Sequence, residues 1–332
     1  MLTQKYRPVR FADVVAQDSA VKLLKAVSQN REAVCRSLLL YGDYGTGKTS
    51  LARVFGRSLR CESFLKTGEV CGKCEICKKI DSVGTGYYEY DSSITGNVES
   101  IRNLSSLIDF TVSDWRTIVF DEIHVASKQA QAALLKLIEE GSPKTFFMFL
   151  TTDPAKVLKT IHSRSLPVEF NVIQLDDMIQ HLKKIVELEE QDVSEEVLKK
   201  IAFKANGHVR DALMLLESYL TSHEEINLPT DDIAKYIAYC AMGSKEQAYI
   251  LIDKLVKYSV VDLGRGINFV VKELVRTVST GEGMYKGIAN KLGAKVYKIF
   301  RIICESWVQE SFKNEYLLIS FLYTFVDLCS RV

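Results

Sequence analysis

Residues 37–49 read Ser37-Leu38-Leu39-Leu40-Tyr41-Gly42-Asp43-Tyr44-Gly45-Thr46-Gly47-Lys48-Thr49. The run 37–41 lacks polar alternation, which is the pattern of a strand buried on both faces. It stops at Gly42, and residues 42–49 fit G-x-x-x-x-G-K-[ST], a loop that follows a strand and opens a helix. Gly42, Gly45 and Gly47 let the backbone curl until successive N–H groups point at phosphate oxygens, with Thr46 and Ser50 in the same loop-to-helix turn. A helix starting near Lys48 aims its positive end at those phosphates. Lys48 supplies a mobile cation for the β- and γ-phosphates, and the Thr49 hydroxyl completes the shell of a magnesium ion. ATP and Mg²⁺ are the ligands this loop predicts.

Working outward, Thr117-Ile118-Val119-Phe120 reads as a second strand that delivers Asp121-Glu122 at its C-terminal end, where ligands sit in open α/β sheets. Asp121 suits magnesium held through water, and Glu122 is placed to polarise an attacking water as general base. Phe146-Phe147-Met148-Phe149-Leu150 is a third strand, ending at Thr151-Thr152-Asp153, and Tyr87-Tyr88-Glu89-Tyr90 a fourth. Strands separated by helical segments give an α/β fold with a parallel sheet.

After about residue 171 the pattern changes to helical spacing at 176–189, 194–205, 209–221, 230–240 and 244–258. Asn206-Gly207, and Ser244 ahead of Glu246-Gln247, act as cap signals between these segments. Residues 171–332 are expected to be all-helical, in two small bundles with a seam near Leu228-Pro229. The expected division is 1–170, 171–229 and 230–332.

Four of the 8 cysteines fall between Cys61 and Cys77. Cys61, Cys71, Cys74 and Cys77 can place four thiolates around Zn²⁺, with Gly72 in the turn of the knuckle. An iron–sulfur cluster also takes four thiolates, but the Cys-x3-Cys-Pro continuation of the bacterial ferredoxin run is absent. Disulfides are disfavoured in a reducing compartment. Cys35, Cys240, Cys304 and Cys329 read as buried thiols. His124 and His162 read as structural.

Hydrophobic residues make up 47% and charged residues 26%, ordinary values for a globular chain of 332 residues. The net charge of +1 offers no bulk electrostatic case for nucleic-acid binding, so any DNA contact has to come from local clusters. Arg102 and Lys128 are candidates for that contact. No apolar run reaches the roughly 18 residues of a membrane span, and the start lacks the apolar core of a secretory signal. A cytoplasmic setting, bacterial or in a virus-infected bacterium, is the expectation, with no membrane partner.

Taken together, these segments resemble a known family. From about residue 3 to about 260 the chain is similar to the bacterial DNA polymerase III clamp-loader motor subunit, the DnaX (tau/gamma) family of AAA+ ATPases. Lys5-Tyr6-Arg7-Pro8 with Phe11-Ala12-Asp13-Val14-Val15-Ala16-Gln17 looks like its N-terminal box, which contacts the adenine, and this puts Arg7 at the nucleotide. The phosphate loop follows, then a zinc module (61–77) at the family's point of insertion. Tyr90-Asp91-Ser92-Ser93 and Val98-Glu99-Ser100-Ile101-Arg102 match its strand-to-helix segment. Asp121-Glu122-Ile123-His124 and the helix at 133–140 are similar to its acidic motif. Thr152 looks like sensor 1, which reads the γ-phosphate, and Gly207-His208-Val209-Arg210-Asp211 like sensor 2, in which Arg210 of a lid touches the nucleotide. Ile161-His162-Ser163-Arg164-Ser165 resembles the family's "SRC" motif with serine in place of cysteine. The resemblance makes Arg164 an arginine finger that acts on ATP bound in a neighbouring subunit.

The resemblance therefore implies an α/β P-loop AAA+ domain with a parallel sheet, an all-α lid and an all-α C-terminal collar that oligomerises. It implies a sliding clamp, primed double-stranded DNA, other loader subunits and copies of itself as partners. The chain stops before the extension by which the longer family product binds polymerase and helicase, as a short, truncated or phage-encoded version would. The aromatics of 260–332, among them Phe269, Tyr297, Phe300, Trp307, Phe312, Tyr316, Phe321, Tyr323 and Phe325, can be core or interface. Rival readings are another AAA+ machine such as a branch-migration or remodelling ATPase, a non-hydrolysing scaffold, and a zinc-bearing nucleic-acid module. The four cysteines oppose the first, intact Lys48, Thr49, Asp121 and Glu122 the second, and the neutral charge the third.

Overall fold

The structure is a computed structural model that describes the chain except residues 33–34, 80–85, 96–113, 141–143, 225–228, 259, 284, 300, 302–314 and 330–332. Residues 98–102, with the basic candidate Arg102, lie outside the described residues, as do Phe300, Trp307 and Phe312. The chain divides into two compact units, Met1–Glu224 and Glu225–Val332.

In the first unit five strands form one parallel sheet: β1 (Ser37–Gly42), β2 (Tyr87–Asp91), β3 (Arg116–Asp121), β4 (Thr145–Thr151) and β5 (Leu166–Phe170). Their order is β2-β3-β4-β1-β5. Successive side chains of a strand point to opposite faces, so an unbroken apolar strand can serve two cores at once. Leu38, Leu40, Phe146 and Met148 join the core that includes Leu24 of α1 (Asp18–Gln29) and Leu51 and Phe55 of α2 (Lys48–Arg60). Leu39, Phe147 and Phe149 join the opposite core, with Ala130 and Leu134 of α3 (Lys128–Glu140). Edge-on packing of Phe55 against Phe146, with centroids 5.1 Å apart, closes the first core.

The fifth strand is not anticipated by sequence pattern, because Pro167 argues against a strand interior. Among the described residues β5 pairs only with β1, through registers such as Leu39 with Pro167 and Gly42 with Phe170. At a sheet edge a missing ladder donor costs little, so the proline is tolerated there. Val168 and Phe170 are buried while Pro167 and Glu169 are exposed, which is the alternation of a one-sided edge.

The same unit ends in three helices, α4 (Leu175–Leu188), α5 (Glu195–Ala205) and α6 (Val209–Ser222). The Ser194 hydroxyl accepts from the Val197 N–H at 3.4 Å and caps α5, whose far end turns through left-handed Asn206 (φ 53°). The second unit is helical throughout its described part: α7 (Pro229–Ala241), α8 (Lys245–Leu255), α9 (Val260–Thr280), α10 (Lys286–Leu292) and α11 (Glu315–Cys329). Ser244 stands at the N-cap of α8, where the sequence reading put a cap signal, but its side chain makes no capping hydrogen bond. Phe325 packs into this unit's core against Tyr236, whose hydroxyl donates to the Leu322 carbonyl, and Phe269 packs against that core. Tyr297 and Tyr323 are exposed. Among the described residues no helix is long and apolar enough to cross a membrane.

The chain passes from β1 into the loop at Gly42, which has φ +147° and lies against β5. A Cβ there would stand 2.2 Å from the Phe170 carbonyl oxygen, so neither space nor conformation admits a side chain. Gly42→Ala should destabilise the first unit by about 2 kcal/mol or more and lower its thermal midpoint by several degrees. A melting curve superimposable on that of the parent would contradict this packing.

Candidate nucleotide site

Helix α2 starts directly behind the loop, with Gly47 (φ +99°) as its N-terminal flank. Nothing lies within 4 Å of where a Gly47 Cβ would be, so the loop faces open space at that point. Lys48 is buried, and its Nζ donates to the carbonyls of Gly42 and Asp43, each at 2.8 Å. The Thr46 hydroxyl donates to the Asp43 carbonyl at 2.7 Å and tightens the same turn. Across the sheet, Thr49 Oγ1 donates to Asp121 Oδ2 at 2.9 Å.

Burial pushes the Lys48 ammonium below its ordinary pKa, opposed by the charges of Glu122, Asp121 and Asp43. Burial also raises the Asp121 carboxyl, as does the neighbouring Glu122, while the Thr49 hydrogen bond lowers it. Desolvated cation and desolvated carboxylate each gain from a counter-charge, which a magnesium–phosphate ligand supplies to both. The acidic pair, the hydroxyl and the lysine thus fit Mg²⁺ and phosphate as a donor set.

These groups line a cavity of about 450 Å³, within the size range of small-molecule sites. Residues 44–50 of the loop, Asp121, Glu122, Arg7 and Arg210 all reach it; Gly42, Thr152 and Arg164 do not. Thr152 connects indirectly, by donating to Glu122 Oε2 at 3.3 Å. Glu122 itself is left-handed (φ 50°), a conformation that costs roughly 1–2 kcal/mol in an L-residue and is held here by its surroundings. Its N–H donates to Asp121 Oδ1 at 3.0 Å, and its carbonyl accepts from Val125 at 2.9 Å.

The lid closes over the loop directly. Val209 N–H donates to the Gly45 carbonyl at 3.2 Å, and Arg210 Nη1 donates to the Tyr44 hydroxyl at 2.9 Å. A Cβ on Gly45 would come within 3.0 Å of His208 Cβ, so this close approach needs glycine. The amino-terminal segment is fastened to the lid as well: Tyr6 donates to Glu189 Oε1 at 2.6 Å and Lys5 pairs with the same oxygen at 2.8 Å. Buried Gln17 donates to the Asn171 carbonyl at 2.6 Å and accepts from the Asn171 N–H at 3.2 Å, which pins the start of α1 to the strand–lid junction. Sequence reading gave no role to Glu189, and to Gln17 and Tyr44 only membership of a motif, since the pairing of each is with a residue 150 or more positions away. His181 also lines the cavity, and burial, with Lys184, lowers its pKa to about 4.

Arg164 lies apart from the cavity. Its Nε pairs with Glu139 at 2.7 Å, and the side chain is half-exposed after the short helix Lys159–His162. The four cysteines do converge: the Sγ atoms of Cys61, Cys71, Cys74 and Cys77 lie within 4.8 Å of one another. Cys77 Sγ is 3.4 Å from that of Cys74 and 3.8 Å from that of Cys71, near the about 3.8 Å edge of a zinc–thiolate tetrahedron. Backbone N–H groups of Lys73 and Cys74 donate to Cys71 Sγ and draw its thiol down to about 6, as thiolate ligation requires. Burial pushes Cys77 the other way.

A parallel sheet in this order, a phosphate loop opening α2, an acidic pair ending β3 and a helical lid on the loop define an AAA+ P-loop ATPase. A family model described as DNA polymerase III, delta subunit matches residues 16–174, and one described as RCF1/5-like, AAA+ ATPase lid domain matches residues 180–221. The DNA polymerase III subunit gamma of Buchnera aphidicola subsp. Schizaphis graminum is 37% identical over 234 residues, covering 69% of this chain and 63% of that protein. The subunit of the same name from Buchnera aphidicola subsp. Acyrthosiphon pisum is 34% identical over 264 residues, covering 77% and 70%. The chain belongs to the DNA polymerase III gamma/tau family. Among solved structures, the Thermotoga maritima RuvB Holliday junction branch migration motor matches with a TM-score of 0.51 over 88% of this chain and 86% of that one. At 17% identity that likeness concerns the fold alone.

Lys48→Ala should weaken ATP binding about tenfold to a hundredfold, the worth of a charge-assisted hydrogen bond. Titration with a fluorescent ATP analogue measures it, and undiminished affinity in a folded variant would contradict the site.

Proposed function

We propose that this chain is an ATP-hydrolysing motor subunit of a sliding-clamp loader, acting with other loader subunits and copies of itself to place the clamp on primed double-stranded DNA. The observation that carries the reading is the Thr49–Asp121 hydrogen bond at 2.9 Å beside Lys48 and Glu122, in a chain of this family. A non-hydrolysing scaffold has no need to keep that set. The likeness to RuvB gives no reason to prefer branch migration, because it extends only to the fold.

In this reading the phosphates of ATP lie on the backbone of Gly42 to Ser50, with Lys48 moving from its two carbonyls to the β- and γ-phosphates. Thr49 and Asp121 would hold Mg²⁺, which supplies positive charge to the phosphates. Glu122 orients water and takes its proton; Thr152 and Arg210 sense the γ-phosphate from the sheet and from the lid. Arg7 lies along the nucleoside. Arg164 acts on the neighbouring subunit's ATP, which agrees with its half-exposed position away from its own cavity. The working division is sheet domain 1–170, lid 171–229 and collar 230–332. ATP and ADP differ in the contacts they offer to Thr152, Arg210 and Arg164, and that difference shifts the assembly between gripping and releasing the clamp. Such an assembly works in the cytoplasm of a bacterium or of a virus-infected one.

Cys61, Cys71, Cys74 and Cys77 would hold Zn²⁺ as a structural ion, since four protein ligands leave no open position. Metal analysis should find one zinc per chain; iron, or no metal in freshly purified protein, would overturn that assignment. The loader reading is tested by the ATP hydrolysis rate of the complete complex with clamp, with primed DNA and with both. Strong stimulation by the two together is expected, and a rate indifferent to the clamp contradicts it. In that complex Arg164→Ala should slow hydrolysis about 10³-fold while leaving ATP binding nearly intact. Equal loss of binding by the isolated chain would place Arg164 in its own site instead.

A further inference from the structure

Glu122 Oε2 accepts from Thr152 Oγ1 at 3.3 Å and lies 3.2 Å from His124 Nδ1. The same Nδ1 is 3.1 Å from Thr151 Oγ1, which accepts from the Asp153 N–H at 3.0 Å. A carboxylate oxygen offers only lone pairs, so the contact with Glu122 favours the tautomer that carries its proton on Nδ1. The nitrogen is hydrogen-bonded with Thr151 Oγ1 and stands against Glu122 Oε2 as a close polar contact. Among the described residues no hydrogen bond reaches Glu122 Oε1.

His124 is well placed to hold this arrangement. It sits in the 3-10 turn Ile123–Val125 directly after Glu122, and Ile123 beside it is fully buried. Its own side chain is 16% exposed, against 34% for Glu122. Thr151 is the last residue of β4, so the imidazole ties the turn after β3 to the end of the neighbouring strand.

We propose that His124, read from sequence as merely structural, is a positioning residue for hydrolysis: it fixes the carboxylate of Glu122 by Oε2 and leaves Oε1 to meet the attacking water. The proposal rests on the reading of Glu122 as general base. A carboxylate that rotates about its last bond presents the wrong oxygen, or the wrong lone pair, for much of the time. Catalytic geometry tolerates little of that, since displacement by about 1 Å can cost roughly a hundredfold in rate.

The test is single-turnover ATP hydrolysis and ATP affinity in the complete assembly for His124→Ala, His124→Asn, Glu122→Gln and the double variant Glu122→Gln/His124→Ala. His124→Ala should lower the chemical rate roughly 10- to 100-fold while the Kd for ATP stays within about twofold. His124→Asn, whose amide N–H can reach the same oxygen, should recover most of that loss. In the Glu122→Gln background, His124→Ala should cost nothing further, because it acts through a carboxylate already removed. An unchanged rate in His124→Ala overturns the proposal, as does an Asn variant no better than Ala or a full additional loss in the double variant. So does a Kd that weakens as much as the rate. Full hydrolysis by Glu122→Gln would instead remove the reading of Glu122 beneath it, so the two failures are told apart.

Discussion

The ammonium of Lys48 sits inside the protein against two backbone carbonyls, and much of the first unit serves to hold it there. A buried charge is tolerated only with full hydrogen bonding and compensating charge nearby. The carbonyls of Gly42 and Asp43 provide the first, which obliges the loop to curl through left-handed and extended glycine conformations. Asp121 and Glu122 provide the second, which obliges β3 to end level with the loop. The central place of β1, between β4 and β5, and the start of α2 directly after Gly47 follow from the same requirement. A phosphate–magnesium ligand relieves the desolvation of cation and carboxylates together, so the stability of the empty loop and its affinity for nucleotide share one electrostatic origin.

The lid is coupled to that loop by short polar contacts, by an edge-on Tyr44–His208 ring pair and by the close approach of His208 to Gly45. Val209 holds the Gly45 carbonyl, and Arg210 holds the Tyr44 hydroxyl with its guanidinium 5.9 Å from the ring centroid. These contacts involve half-exposed side chains and one backbone bond, which exchange readily for contacts to a ligand. The amino-terminal segment adds a second fastening through Glu189. A nucleotide between sheet and lid therefore meets two elements whose mutual contacts are weak enough to be redirected, which is what an ATP-dependent switch requires.

Much of this was legible from local sequence because its causes are local. The loop is written in consecutive residues, and the acidic pair stands at the end of an apolar run. The three central strands, β1, β3 and β4, carry enough apolar residues to be read without partners, and the cysteine spacing already implies convergence. β5 was not legible, since its proline is acceptable only at an edge, and edges are a property of the whole sheet. Gln17, Glu189 and Tyr44 act through residues distant in sequence, so no window of the chain contains the pair. His124 was underread for a related reason: its partner Thr151 comes from another strand, and only the register of β3 with β4 brings them together. Cap chemistry was half legible: Asn206 ends α5 as read, while Ser244 stands at the N-cap of α8 but makes no side-chain bond, its backbone (φ -81°, ψ 66°) lying outside the extended region usual for a capping serine.

The most direct test of the account is a crystal structure of the chain with magnesium and a non-hydrolysable ATP analogue. The account predicts phosphates against the backbone of residues 45–49, Lys48 Nζ withdrawn from the Gly42 and Asp43 carbonyls onto them, and Arg210 turned from Tyr44 to the nucleotide. A nucleotide bound elsewhere, or one bound here with Lys48 still on its two carbonyls, would contradict it.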